Sequence, residues 1–426
     1  MQPFLYYPVI KSLQFIGIEN RFVWITILRL ISSLVGFYSI ILLSLYTLKI
    51  SNKEWQKKWI IILLNLLWFI PFIHARTSSE AVGGSLFTIG FCLLLYKIID
   101  NSYQKTDLKV HHSLIIGLIM GLSFQMRYHI GFMILFCFLW ALIFHKLTIR
   151  SLFVLSLGVV FAILLGIGVD YWGYGKWTLA PYWYYHQNIV LKLANKWGVS
   201  PWWGYFKSTF EKGVFPISLP LIIAGLIFWM RKWKHELTWL TLSFFFVHSY
   251  VAHKELRFLF PILIYFPVML ILLLDEFKFK QSKLSKFSLK LVFTVNLILL
   301  GQAILRPVQT SIPFYKWAYN NPFKEVYVVG DLKPYGVAAL DMHFYNFHYP
   351  TEKFISEHEL ENNIRDLLIN NEEILVFASR GKNYFKLINN SLCEIQYMSI
   401  PQWTLSINIG SWISRSELWS IFRCKN

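Results

Sequence analysis

His253-Lys254-Glu255-Leu256-Arg257-Phe258 places four ionisable side chains within six residues, between two strongly apolar runs. Charge beside a bilayer is costly, about 2.5–3.5 kcal/mol at a span centre on translocon scales. At an interface the cost is smaller, and one reading is an anchor whose long side chains reach back to water. An anchor has little need of His, Lys, Glu and Arg together. The mixture suits a phosphate clamp, with Lys254 as a point charge, Arg257 as a planar fork and His253 as a further donor. Glu255 would hold the basic groups in place.

Two other charged turns stand out from the apolar background. Arg76-Thr77-Ser78-Ser79-Glu80 carries hydroxyls ahead of a glutamate at a helix start. That pattern is a capping box, so helix capping alone accounts for it equally well. The functional alternative has Arg76 and Glu80 facing the same cavity as His253. Arg127 and His129 form the third turn, where an interfacial Arg is the simpler reading. Arg29 lies within the first apolar run and either reaches to the lipid surface or faces the cavity. Between Asp170 and Phe206 the chain reads DYWGYGKWTLAPYWYYHQNIVLKLANKWGVSPWWGYF. This density of Trp and Tyr fits an aromatic belt at the headgroups. It also fits a sugar platform, with His186 and Asn188 for hydroxyls.

The elements that must carry these turns are membrane spans. The 426-residue chain is 56% hydrophobic and only 15% charged, where soluble domains carry roughly 25% charge. Aromatic residues make up 18%, more than one core needs and well suited to two membrane interfaces. The net charge of +18 is read as cytoplasmic loop retention and attraction to anionic headgroups, and nucleic-acid binding is set aside. Windows of about 20 apolar residues yield about ten spans. They begin near Phe22, Lys58, Val82, His112, His129, Ser151, Val214, Leu237, Phe258 and Phe287. If the spans alternate, Lys49, Lys53, Lys57, Lys58, Lys97, Lys105, Lys109, Lys146, Arg150, Arg231, Lys232, Lys234, Lys278, Lys280, Lys283, Lys286 and Lys290 fall on one side. That side is cytoplasmic by the positive-inside rule. The turns at Arg76, Arg127 and His253 and the aromatic loop 171–213 then lie outside.

Residues 1–305 read as the membrane domain and 306–426 as a soluble outer one. Lys324–Gly330 and Glu373–Ser379 are expected as buried strands and Glu357–Asn370 as a helix. The fold expected is therefore an all-α polytopic membrane protein with a small C-terminal α/β extracytoplasmic domain. Cys92 and Cys137 lie in apolar runs and read as inert. Cys393 and Cys424, if outside, are able to form a disulfide. No cysteine spacing matches a zinc site, and no cofactor or metal is expected. The first apolar run is too long for a cleaved signal sequence.

Taken in order, these residues resemble a known family. The matching positions are Arg76-Thr77 with Ser79, Arg127, Asp170 with Tyr174-Gly175, Pro181 with Asn188, Gly198 with Pro201-Trp202 and Tyr205, and His253-Lys254-Glu255 with Arg257-Phe258. They are similar to the lipid-phosphate-mannose-dependent α-mannosyltransferases that build GPI anchors and N-glycan precursors, multispan glycosyltransferases of the C type (GT-C). The resemblance covers roughly residues 20–310, and the short chain, its Lys/Ile/Asn-rich loops and its compact outer domain favour a bacterial relative. The resemblance implies a polyprenyl- or dolichyl-phosphate sugar donor, a glycan or glycolipid acceptor, and inverting transfer on the periplasmic or lumenal face. His253, Lys254, Arg257, Arg76 and Arg127 would bind the donor phosphate. Asp170, Asn188, Trp202 and Tyr205 would meet sugar or acceptor. No glycine-rich phosphate loop for a nucleotide sugar is present, which agrees.

One departure concerns the base. The family carries an acidic pair in an outer loop after an N-terminal span. Residues 1–21 hold a single acid, Glu19. The expectation is that the chain starts inside the equivalent loop and is inactive alone, with Glu80 and Glu255 as weak candidates for the missing carboxylate. A bacterial inner membrane is favoured over an endoplasmic reticulum. The alternatives are a lipid-linked saccharide flippase or transporter, a polysaccharide polymerase or ligase, and an inactive scaffold. Polar groups concentrated at one face, without a pseudo-repeat, weigh against a transporter.

Overall fold

The computed structural model describes residues 2–51, 53–99, 106–144, 147–276, 283–305, 311–330, 334, 350–358 and 360–426. Lys105, Lys146, Lys278 and Lys280 lie outside the described residues. The chain divides into two compact units, Met1–Glu19 with Trp24–Ile304, and Asn20–Val23 with Leu305–Asn426.

The first unit is helical. Its helices are α1 (Gln2–Phe15), α2 (Arg21–Ile50), α3 (Glu54–Leu66), α4 (Phe69–His74), α5 (Ser79–Ile99), α6 (Val110–Met126), α7 (Ile130–Phe144) and α8 (Ile149–Tyr174). After α8 come α9 (Ala180–Tyr185), α10 (Gly204–Lys212), α11 (Phe215–Arg231), α12 (Glu236–Tyr250), α13 (Phe260–Leu263), α14 (Phe266–Glu276) and α15 (Lys283–Leu305). In hydrocarbon every backbone polar group must be satisfied within its own segment, so long apolar sequence becomes helix.

By length and composition four of the described helices are able to cross a membrane: Arg21–Ile50, Ser79–Ile98, Ile149–Tyr174 and Phe287–Leu305. The number reaches six if Phe215–Arg231 with Glu236–Tyr250, bent by 114°, and Leu256–Leu263 with Phe266–Glu276, bent by 55°, each make one span. The expectation of about ten windows is thus supported only to four to six. A window counts apolar residues and does not see a bend or a short element. Val110–Met126 and Ile130–Phe144 are apolar helices of 17 and 15 residues, at or just under the shortest length that crosses a bilayer. The window near Lys58 divides between α3 and α4. The chain is an integral membrane protein.

Close helix packing comes from small residues. A Cβ on Gly117 would lie 2.1 Å from the Leu155 carbonyl oxygen, and one on Gly158 would lie 2.5 Å from that of Leu114. Gly121 faces Ala162 in the same way. This spacing lets α6 and α8 approach backbone to backbone, as small residues four apart do in membranes. Gln125 Nε2 crosses the seam to donate to the Ile163 carbonyl at 3.1 Å.

The second unit contains α16 (Ser311–Asn320), β1 (Glu325–Val329), β2 (Thr351–Ile355), α17 (Leu360–Ile369), β3 (Glu373–Arg380), α18 (Gly381–Ile388), β4 (Cys393–Met398), α19 (Trp412–Arg415) and β5 (Glu417–Lys425). The five strands form one sheet in the order β2-β1-β3-β5-β4. β1 runs parallel to β2 and β3, whereas β5 is antiparallel to β3 and β4. The expected strands at 324–330 and 373–379 and the helix at 357–370 match β1, β3 and α17 within a few residues. The run Glu325–Val329 is buried along most of its length, as strands covered on both faces are.

Cys393 and Cys424 pair across β4 and β5 and are joined by a disulfide. Cys424→Ser is expected to destabilise this unit by about 2–4 kcal/mol. The check is the unfolding midpoint without reductant, where reduced wild-type protein should fall to the variant's value. An unchanged midpoint in the variant would deny the bond a structural role.

Candidate active site

The turn between α4 and α5 sets the first charged group. Ser78 Oγ accepts from the Ala81 amide at 3.3 Å and so caps α5. The capping reading is therefore right for Ser78 and wrong for Glu80. The Glu80 side chain is 4% exposed, and its Oε1 lies 3.4 Å from Arg127 Nη2 and 4.0 Å from Arg257 Nε. Ser79 Oγ donates to its other oxygen at 3.3 Å. A buried carboxylate is stable only when paired, and here one carboxylate joins the second and third charged turns.

The chain then presents the 253–258 turn between α12 and α13. Arg257 grips Glu255 in a fork, with Nε 2.6 Å from Oε2 and Nη2 donating to Oε1 at 3.0 Å. His253 places Nε2 3.1 Å from Glu255 Oε1 and Nδ1 2.9 Å from the Gly198 carbonyl oxygen. Burial pushes the Glu255 carboxyl up, but hydrogen bonds from Arg257 and His253, with their charges, outweigh it and hold it below the usual glutamate range. Phe258 lies between the two arginines, 4.8 Å from the Arg127 guanidinium and 5.7 Å from that of Arg257. An aromatic face next to a guanidinium adds cation–π attraction without neutralising charge.

Lys254 reaches under the aromatic loop. Its Nζ donates to the carbonyls of Val251 at 2.5 Å and Ser200 at 3.2 Å, and sits 5.9 Å from the Tyr205 ring. Burial lowers its pKa from the ordinary lysine value. The Ser200 amide donates to the Ala252 carbonyl at 2.9 Å, so loop and turn are laced together. Arg76 stacks on Phe72 at 5.0 Å. Its pKa is lowered by burial and by the nearby positive charge of Arg257, against the pull of Glu80. Arg127 and Arg257 thus meet Glu80, Arg257 also grips Glu255, and Arg76 and Lys254 add further positive charge, leaving it in excess.

Beside this cluster lies an apolar cavity of about 290 Å³. Phe72, Tyr205 and Leu256 border it on the charged side, and Leu221, Trp229 and Phe266 line it deeper in. An anionic head at Arg76, Arg257 and Lys254 and a hydrocarbon tail in the cavity would meet complementary surfaces.

The structure therefore gathers Arg76, Glu80, Arg127, Tyr205, His253, Lys254, Glu255 and Arg257. Asp170, Asn188 and Trp202, expected to meet sugar or acceptor, each have their own setting. Asp170 is buried near the end of α8 and accepts from the Ala180 amide, which ties down the start of α9. Asn188 Nδ2 donates to the Tyr184 carbonyl at 2.9 Å within its own turn. Trp202 is 66% exposed. The loop 171–213 is largely helical, with α9, a π turn at His186–Val190, a 3-10 turn at Leu193–Trp197 and α10. His129 faces inward, with its ring 4.8 Å from that of His248 and 5.3 Å from that of Tyr184. Tyr184, whose ring lies 5.9 Å from the Arg127 guanidinium, was not singled out by sequence. Nothing marked it among so many neighbouring aromatics. Tyr6 was also missed, and from α1 it donates to the Thr77 carbonyl at 3.4 Å.

A family model described as "Alg9-like mannosyltransferase family" matches residues 1–311. The chain belongs to this family. It is 26% identical over 324 residues to GPI mannosyltransferase 3 of Debaryomyces hansenii, covering 70% of this chain and 54% of that protein. It is 25% identical over 274 residues to GPI alpha-1,2-mannosyltransferase 3 of Danio rerio, covering 61% and 47% respectively. The chain spans about half the length of the curated relatives it matches. Among solved structures it is similar to ArnT from Cupriavidus metallidurans bound to undecaprenyl phosphate, with a TM-score of 0.51 and 10% identity over 94% of this chain and 84% of that one. The expected GT-C-like fold is thus shown at the level of overall architecture.

Proposed function

We propose that this Alg9-like chain transfers a sugar, mannose by family, from a polyprenyl- or dolichyl-phosphate donor to a glycan or glycolipid acceptor, with inversion, on the extracytoplasmic face. The observation that carries this reading is the junction of a cationic cluster and an apolar cavity at Tyr205 and Leu256. The solved ArnT structure of similar fold holds undecaprenyl phosphate, a lipid phosphate of this chemical class. The disulfide Cys393–Cys424 favours an oxidising compartment for the C-terminal unit, the side on which sequence put it.

The donor phosphate meets Arg257 and Arg76, with Lys254 adding charge from beneath. Negative charge grows on that phosphate as the bond to the sugar breaks, and fixed cations stabilise it most in that state. A phosphate monoester leaves readily near neutral pH, so no general acid is required. A carboxylate would deprotonate the acceptor hydroxyl. Glu80 and Glu255 are poorly suited to that task, because each is held by arginines and Glu255 is less basic than an ordinary glutamate. Both are better read as positioning residues.

Lys254→Ala is expected to lower donor-dependent transfer by about 100-fold, in the range measured for removing one preorganised donor, with membrane insertion intact. The assay is incorporation of labelled sugar from a polyprenyl-phosphate donor into acceptor. Unchanged turnover would remove Lys254 from the phosphate site. No incorporation by the wild-type chain would agree with the expected lack of a catalytic base as well as with the scaffold reading, and movement of donor across the bilayer without incorporation would favour a flippase.

A further inference from the structure

A second cavity, of about 480 Å³, lies among α3, α11, α14 and α15. Trp59, Leu63, Leu270, Val292 and Phe293 give it an apolar wall. Asn296 clasps α15 to the break between α3 and α4, with its Nδ2 donating to the Leu66 carbonyl at 2.8 Å and its Oδ1 accepting from the Trp68 amide at 2.9 Å. Lys53 and Asp275 also line the cavity, at the ends of α3 and α14 remote from the 253–258 turn, and form an ion pair with each other. Both are solvent-accessible, at 54% and 33%. Among the described residues nearby, Lys57 pairs with Glu54, and Arg231 and Lys232 share Glu276. The cavity's own charged lining, Lys53 and Asp275, therefore offers one charge of each sign.

We propose that this cavity binds one acyl chain of a zwitterionic phospholipid with a primary ammonium, a phosphoethanolamine lipid. Its phosphate sits on Lys53 and its ammonium on Asp275. The two protein charges exchange one contact with each other for one contact each with the head, so no charge is left unpaired. A primary ammonium donates hydrogen bonds to a carboxylate, and a trimethylammonium has none to donate. An anionic head without an ammonium would leave Asp275 facing like charge. The chain fills apolar space that would otherwise lack packing partners. The assignment is independent of the transfer reading, since its test measures retained lipid and not turnover.

The full chain, reconstituted in nanodiscs of phosphatidylethanolamine, phosphatidylcholine and phosphatidylglycerol in equal parts, is released and weighed by native mass spectrometry. Wild-type protein should retain phosphatidylethanolamine roughly tenfold over either other lipid, a preference worth about 1.4 kcal/mol. Asp275→Asn should erase the preference, and Val292→Trp, which narrows the cavity, should lower retention of all three. Equal retention of the three lipids by wild type, preference for phosphatidylglycerol, or an undiminished preference in Asp275→Asn would each overturn the assignment. The wild-type comparison stands even if a variant fails to fold.

Discussion

Arg257→Ala is expected to lower sugar transfer by about 100- to 1000-fold, the range seen when one preorganised charge-stabilising donor is removed. The variant loses more than one contact. Arg257 grips Glu255 in a fork and approaches Glu80 at 4.0 Å, so its removal also frees the carboxylate that orients His253. Arg257→Lys should recover only part of the rate, because an ammonium keeps the charge but not the two-pronged geometry. At 53% exposure Arg257 contributes little to folding, so expression and thermal unfolding should stay close to wild type. The measurement is labelled-sugar incorporation beside an unfolding curve in the same detergent. Full turnover in the Ala variant would sink the phosphate clamp, and a collapsed unfolding midpoint would show that the residue is structural instead.

Glu80→Ala should act mainly on stability. Its carboxylate is 4% exposed and faces Arg127, itself only 17% exposed. Removing one partner of a buried pair leaves the other charge uncompensated, at a cost of about 3–5 kcal/mol. Arg127 would then lie against Phe258 and Tyr184 with its nearest anion gone, and the aromatic wall would shift with it. Glu80→Gln keeps the shape and some hydrogen bonding, so it should lose less stability while still loosening both arginines. Glu80→Ala with Arg127→Met should regain part of the loss, since the uncompensated charge is gone. A Glu80→Ala protein that melts like wild type would show the pair to be unimportant. A Glu80→Gln protein that is fully stable yet holds the polyprenyl-phosphate donor more weakly would locate the defect in the clamp and not in proton removal.

The charged turns were legible because charge within long apolar sequence is rare and costly, so each group left standing has a reason to be there. His253 through Phe258 stood out as a candidate by composition alone. The strands Glu325–Val329 and Glu373–Arg380 and helix α17 were readable from local periodicity, which the fold then used. The span count was less legible, since hydropathy does not report the bends after Arg231 and near Tyr265 or the shortness of α6 and α7. The glycine seam between α6 and α8 was also missed. Gly117, Gly121 and Gly158 are conspicuous only once two backbones are seen in contact.

By itself the sequence determined that the chain enters a membrane, that its polar chemistry gathers at one set of turns, and that its tail forms a sheet with helices. These follow from residue type and short-range spacing. Only the tertiary structure decided that Glu80 joins Arg127 to Arg257, that Lys254 reaches under Tyr205, and that an apolar cavity opens beside them. Those partners are far apart along the chain, and what brings them together is helix packing and the requirement that a buried charge find its opposite.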